Sequence, residues 1–177
     1  LEDESVLNRD LAILSDRIES LTLLAKTFSP SGFIAYKIES LVKDLENLTN
    51  EYLADMSDGR FQIAFKISTS DKLDVVITDN GNDIDIYALS NGELARVNVS
   101  TLLAIRSLMQ SLSDTRTNLL ILDETIESLD IDGKDKLVEV LLKETHLNTI
   151  LVSHGFTHPL ISKLEIVKKN NISRIEV

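Results

Sequence analysis

Apolar positions in the first third of the chain recur with helical spacing. Leu7, Leu11, Leu14, Ile18, Leu21, Ala25 and Phe28 fall at alternating steps of four and three, which lays them on one seam of a long helix. Ser29-Pro30-Ser31-Gly32 interrupts it, because proline and glycine both stop helix propagation. Ile34, Ile38, Leu41, Leu45, Leu48 and Tyr52 repeat the spacing and predict a second amphipathic helix that ends near Asp58-Gly59. The chain therefore divides into a coiled-coil helix over 1–29 and a lobe over 30–177.

Beyond Gly59 the period drops to two. Phe61, Ile63, Phe65 and Ile67 alternate with mostly polar neighbours and predict a half-buried strand, and Leu73 to Thr78 predicts a second. Asp79-Asn80-Gly81-Asn82 predicts a tight hairpin, since Asn-Gly accepts positive φ at little steric cost. Ile84 to Tyr87 is the expected returning strand. From residue 93 the pattern alternates between helix and strand. Leu94, Val97, Thr101, Ile105 and Leu108 mark a helix, and Asn118 to Leu122 is an almost uninterrupted apolar run of the kind buried in a parallel sheet. A helix over Lys134–Glu144, a buried strand over Thr149–Val152, a short helix around 157–163 and a hairpin of 164–168 with 172–177 complete the expectation. The predicted class is α/β: parallel strands with flanking helices plus a small antiparallel sheet.

Composition narrows the chemistry. The 177 residues contain no cysteine, which excludes disulfides, thiolate zinc sites and cysteine nucleophiles. Three histidines (His146, His154, His158) are too scattered for a metal cluster. The net charge is −11, so no broad basic surface for nucleic acid is visible. Five basic and 12 acidic side chains precede residue 59, and that excess solvates the outer faces of the two helices. No apolar run approaches the roughly 20 residues of a membrane helix. Leu1-Glu2-Asp3-Glu4 is not a secretory signal, and a start without methionine is what a fragment or a processed chain would have. The expected location is the cytoplasm.

Four short segments can carry chemistry. Leu119-Leu120-Ile121-Leu122 delivers Asp123 and Glu124 to the carboxyl end of a strand, the edge at which ligands bind in open α/β sheets. One carboxylate there can hold Mg2+ against phosphates through water, and a second can orient or deprotonate an attacking water. Leu89-Ser90-Asn91-Gly92-Glu93 directly precedes a helix, whose free N–H groups and positive dipole end suit an anion. Ser153-His154-Gly155 follows a strand and can reach the same crevice. Glu127-Ser128-Leu129-Asp130 lies just beyond the acids. Read singly, these are a buried strand with an acidic turn, a helix cap, a structural histidine and a second cap. Order and spacing decide against that.

In that order the four segments resemble the C-terminal half of an ABC-type ATPase. Leu-Ser-Asn-Gly-Glu resembles the signature, Leu119–Glu124 the Walker B strand with its catalytic Glu, Ser128-Leu129-Asp130 the D-loop, and His154 the switch histidine. Pro30-Ser31-Gly32-Phe33-Ile34-Ala35-Tyr36, Tyr52-Leu53 and Asp58-Gly59-Arg60-Phe61 resemble the re-entry of a coiled coil into an SbcC-type head, the SMC-like class of double-strand-break repair and phage recombination ATPases. The resemblance implies that Ser90, Asn91 and Gly92 contact the γ-phosphate of ATP on an opposing protomer. It implies that Asp123 holds Mg2+, Glu124 activates water, His154 senses the γ-phosphate and Asp130 couples the two sites of the dimer. Two positions depart from the pattern: Asn91 stands where glycine is usual, and Thr125 where proline is. No Gly-x-x-x-x-Gly-Lys-Ser/Thr occurs in these residues, so the phosphate-cradling loop is expected in an N-terminal P-loop half of the same protein. The implied partners are that half, a second copy bound through ATP, an SbcD-like nuclease near residues 1–28, and double-stranded DNA. This chain alone should then hydrolyse essentially no ATP. An SMC-like structural DNA clamp without a nuclease is the alternative. A membrane transporter's ATPase subunit fits less well, because it has no place for the heptad front.

Overall fold

A computed structural model of the chain describes residues 2–29, 32–67, 72–114 and 117–176. Two long helices come first, α1 (Glu2–Thr27) and α2 (Phe33–Ser57). The breaker residues Pro30 and Ser31 lie outside the described residues, but Gly32 shows why the turn is tight. A Cβ there would sit 2.4 Å from the carbonyl oxygens of Lys26 and Thr27. The seam of α1 is exposed from Leu7 to Phe28. α2 changes character along its length: Phe33, Ile34 and Ile38 are exposed, whereas Thr49, Leu53 and Met56 are fully buried. Its first turns are therefore open to solvent and its last turns are packed into the core. It ends at Asp58, in the left-handed conformation (φ 53°), with Lys136 paired to its carboxylate.

Strands β1 (Phe61–Ile67), β2 (Leu73–Asp79) and β3 (Asn82–Ile84) form an antiparallel sheet in that order. The Asn-Gly turn falls as expected, with Asn80 and Gly81 both at positive φ (48° and 82°). The returning strand does not: pairing stops at Ile84, and Ile86–Ala88 is a 3₁₀ turn. Asp85 is the cause, since its carboxylate accepts the Tyr87 N–H and so caps the turn in place of continuing the ladder.

Helix α3 (Asn91–Leu112), strand β4 (Leu119–Asp123), helix α4 (Ile131–Lys143) and strand β5 (Asn148–Val152) follow, with β4 and β5 parallel. α4 begins three residues earlier than the apolar period implied, because Asp130 caps it. The core has two parts that share α3. Ala95, Val99 and Leu103 pack with Leu122, Ile126, Leu129, Leu137 and Val140, while Val97 packs with Leu53, Phe61, Ile63 and Ile77 of the sheet side. Tyr52 of α2 donates to Glu144 Oε1 (2.7 Å), beside Arg106 of α3. Burial and that acceptor push the Tyr52 hydroxyl up to about 12.

The run 119–122 is buried on one face only. Leu122 is 2 % exposed, whereas Leu119, Ile121, Ile150 and Val152 on the opposite face of the β4–β5 pair are each about half exposed. Parallel strands are normally covered on both faces. The expected helix around 157–163 is absent: Gly155 takes positive φ (77°), and the Pro159 region is a turn closed by the Ile161 N–H on the His158 carbonyl. The chain closes with the hairpin β6 (Glu165–Lys169) and β7 (Ile172–Glu176), whose turn residues Asn170 and Asn171 both have positive φ. The expected end of this strand, Val177, lies outside the described residues. Among the described residues no helix is long and apolar enough to cross a membrane.

Candidate functional site

The predicted site residues fall into two groups at two places on the lobe. The first stands at the carboxyl ends of β4 and β5. Asp123 is paired in register with Val152 and is the last residue of β4; its exposed carboxylate has no hydrogen-bond or ion-pair partner among the described residues. The next residue, Glu124, turns out of the strand with φ 51°, a conformation sparsely populated by residues with a Cβ. It is held there because its N–H donates to the Val152 carbonyl (3.0 Å), extending the ladder one step past β4. Backbone strain fixed by surrounding structure is a mark of functional positions. The strain aims Glu124 at solvent, with Oε1 3.5 Å from His154 Nε2, and the two side chains are 67 % and 85 % exposed.

Ile126 and Leu129 anchor the loop that follows, at 1 % and 4 % exposure, and they leave Glu124, Glu127, Ser128 and Asp130 facing out. Glu127 uses this position to bind the neighbouring loop: its Oε1 accepts the His154 backbone N–H at 2.7 Å. It thereby fixes the histidine's backbone beside Glu124. Glu127 falls in a predicted turn, and no local signal in the sequence marks a contact made across 27 residues.

The second group surrounds a cleft of about 630 Å³ whose lining includes Ser90, Gly92, Arg60, Arg96, Ser128 and Asp130. Ser90 caps α3 in a full capping box. Its Oγ accepts the Glu93 N–H (3.3 Å) and donates to Glu93 Oε2 (2.8 Å), which also accepts the Ser90 N–H (2.9 Å). These bonds with Ser90, and then Arg60, hold the Glu93 carboxyl below the usual range. Asn91 is the first helical residue and does not take positive φ, so a glycine there is not required by the backbone. Gly92 lies against the loop of the first group: a Cβ on it would meet the Ser128 carbonyl at 3.5 Å, an ordinary contact.

Asp130 is engaged within the chain. Its Oδ1 accepts the Gly133 N–H (3.0 Å) and pairs with Arg96 Nη2 (2.7 Å), which also reaches Asp132 (2.9 Å). Arg96 is 9 % exposed and donates through Nη1 to the Met56 carbonyl. Its burial works against its charge, yet the bonds to Asp132 and Asp130 raise its pKa. Arg96 holds both carboxyls below their usual range, with Lys136 adding to the effect on Asp132. Removing Arg96 strands the Met56 carbonyl, so Arg96→Ala should cost about 2 kcal/mol at neutral pH. Carboxylates with lowered values stabilise the fold above their unfolded pKa and lose that contribution as the pH falls through the folded one. Chemical denaturation should therefore give a gap between the variant and the parent that is full at pH 7 and smaller at pH 3.

Fit to a divalent cation and a nucleotide can be judged from the donors. No group of three or more His, Asp or Glu gathers as a cage among the described residues. A single unpaired carboxylate, Asp123, suits Mg2+, which keeps several waters and takes other oxygens from phosphates. The lobe offers acids at one place and a capped helix N-terminus at another.

No protein-family model matches the chain. It is 42 % identical over 155 residues (88 % of this chain, 25 % of the relative) to the probable exonuclease subunit 2 of Escherichia phage T5. It is 26 % identical over 134 residues (75 % and 23 %) to exonuclease subunit 2 of Escherichia phage RB69. The chain thus spans about a quarter of the length of the curated relatives it matches. Among solved structures, one described under ATP-driven dimerization and DNA-stimulated activation of SMC ATPases superposes with a TM-score of 0.63, at 14 % identity, over 80 % of this chain and 87 % of that one. The Smc head domain with a coiled coil and joint from Pyrococcus yayanosii matches over 99 % of this chain and 35 % of that one, with a TM-score of 0.57 and 16 % identity.

Proposed function

Because the chain is a homologue of phage exonuclease subunit 2 with the fold of an SMC- and ABC-type ATPase head, we propose that it is the C-terminal lobe of an SbcC-like ATPase, the subunit that drives a recombination or repair nuclease. The carrying observation is the division of the site residues: Asp123, Glu124 and His154 share one edge, while Ser90, Gly92 and Asp130 line a separate cleft. One copy of the lobe then serves two nucleotides. Its acids act on ATP held by its own P-loop half, and its serine turn acts on ATP held by a second copy.

Each residue has a task in this reading. Asp123 would hold Mg2+, which would supply charge neutralisation on the phosphates. Glu124 accepts a proton from the attacking water, and Glu127 keeps His154 in place beside it to bond the γ-phosphate. Ser90, Asn91 and Gly92 present hydroxyl and backbone N–H groups to the γ-phosphate across the dimer. Asp130, tied to Arg96 of the signature helix, links that surface to the acid-bearing loop. ATP binding clamps two heads and hydrolysis releases them, gating double-stranded DNA toward an SbcD-like nuclease. Similarity to exonuclease subunits favours this over a DNA clamp without a nuclease.

The uncovered face of β4–β5 is where the P-loop half belongs, since it would complete the second layer over Leu119, Ile121, Ile150 and Val152. Mixing the two halves should yield a stable complex with ATP hydrolysis that neither half has alone. Ile121→Lys with Ile150→Lys should abolish co-purification of the halves while leaving the lobe's circular dichroism unchanged, because both side chains are exposed in the lobe. A double variant that still assembles and hydrolyses ATP would refute this placement.

A further inference from the structure

Ser90 is the end of a chain of charged contacts that begins in the antiparallel sheet. Arg60 stands immediately before β1, and Asp79 is the last residue of β2, opposite Phe61 in the ladder. Their fork is bidentate: Arg60 Nε to Asp79 Oδ1 at 2.9 Å and Nη2 to Oδ2 at 2.6 Å. The guanidinium also lies 4.4 Å over the ring of Phe61, itself only 2 % exposed, and the Asn80 N–H donates to the Arg60 carbonyl. The arginine is therefore seated on the sheet. Its Nη1 crosses to α3 and donates to Glu93 Oε1 at 2.7 Å. The other oxygen of Glu93 holds both the N–H and the O–H of Ser90. Arg60, Glu93 and Ser90 all face the same cleft.

That geometry poses a problem for an anion. A carboxylate sits in the first turn of the helix to which a phosphate would come, and it already accepts the serine O–H as a hydrogen bond. Like charges brought together at an interface are strongly unfavourable. Resting on the reading of Ser90 given above, we propose that Arg60 is a positioning residue for Ser90: it neutralises Glu93 and draws its Oε1 toward the sheet, so that the serine turn can accept the γ-phosphate of the opposing head. Arg60 acts through Glu93 and does not itself touch the nucleotide.

The test measures dimerisation of the assembled protein driven by a non-hydrolysable ATP analogue, using analytical ultracentrifugation. Arg60→Gln keeps most of the side chain over Phe61 and removes the charge. It should weaken analogue-driven dimerisation about tenfold, and adding Glu93→Gln should restore most of that loss. A role limited to holding β1 and β2 together would not be rescued by a change at Glu93. Unaltered dimerisation in Arg60→Gln would overturn the proposal, as would a loss that Glu93→Gln fails to repair. If Arg60→Gln does not fold, Arg60→Ala with and without Glu93→Gln gives the same comparison. Ser90→Arg in the same assay separates the two levels: if it does not weaken dimerisation, the reading of Ser90 itself fails, whereas an effect of Ser90→Arg without one of Arg60→Gln defeats this inference alone.

Discussion

Glu124→Gln should reduce ATP hydrolysis by the assembled protein about 10²–10⁴-fold, the range expected for losing a general base, while ATP binding and ATP-driven pairing of heads persist. The substitution is nearly isosteric and removes only the ability to take a proton. Glu124 is two-thirds exposed and its side chain holds up no part of the core, so the lobe should unfold at the same temperature as its parent. The left-handed backbone at this residue is maintained by the bond from its N–H to the Val152 carbonyl, which the glutamine keeps. Single-turnover hydrolysis and equilibrium nucleotide binding, measured on the same sample, separate the two quantities. Hydrolysis within threefold of the parent would remove Glu124 from the chemistry.

Ser90→Arg should abolish both ATP-driven dimerisation and hydrolysis, again with the fold intact. The arginine would fill the mouth of the cleft and take away the hydroxyl of the capping box. Losing an N-cap of this kind costs about 1 kcal/mol, a small part of the stability of a lobe whose α3 is anchored by Ala95, Val97, Val99 and Leu103. The functional loss should be far larger, because a long side chain at the helix N-terminus denies the opposing nucleotide its approach. Binding of ATP to each separate head should not change, since in the proposed arrangement that triphosphate would be held by the P-loop half. Sedimentation with and without ATP, beside a nucleotide-binding isotherm, reads both expectations. A variant that still dimerises with ATP would contradict them.

Much of this was legible along the chain because its causes are local. The Asn80-Gly81 turn needs positive φ at two consecutive residues, and those two residue types supply it. The order of serine turn, acid-ended strand, second acidic turn and histidine could be read as a set, and the structure sets each at a strand end or a helix start. Errors arose where a side chain competed with the backbone pattern. Asp85 ended a strand by capping a 3₁₀ turn, and Asp130 started α4 early. The expected helix near 157–163 failed because Gly155 and Pro159 punctuate that stretch.

Burial was harder to read. The apolar run at 119–122 implied a strand covered on both sides, whereas Leu119, Ile121, Ile150 and Val152 on one face are each about half exposed. Arg60 and Arg96 went unassigned because their partners are 19 to 40 residues away in sequence. Arg96 did carry a trace of its position, being a lone charge between Ala95 and Val97 on the buried side of a helix. Glu127 carried none.

The central claim is that the acids and the serine turn of one copy serve different nucleotides. Mixing protomers tests it most directly. Protein carrying only Ser90→Arg and protein carrying only Glu124→Gln should each be inactive. In a mixed dimer, one site would combine an intact Glu124 from the first with an intact Ser90 from the second. Equal mixing should therefore raise ATP hydrolysis well above that of either variant alone, up to about a quarter of the parental rate, because a mixed dimer keeps one of the two ATP interfaces that Ser90→Arg removes from its own pairs and holds one good site. Hydrolysis no higher in the mixture than in either variant alone would mean that Ser90 and Glu124 act on the same nucleotide from the same copy, and the account would be wrong.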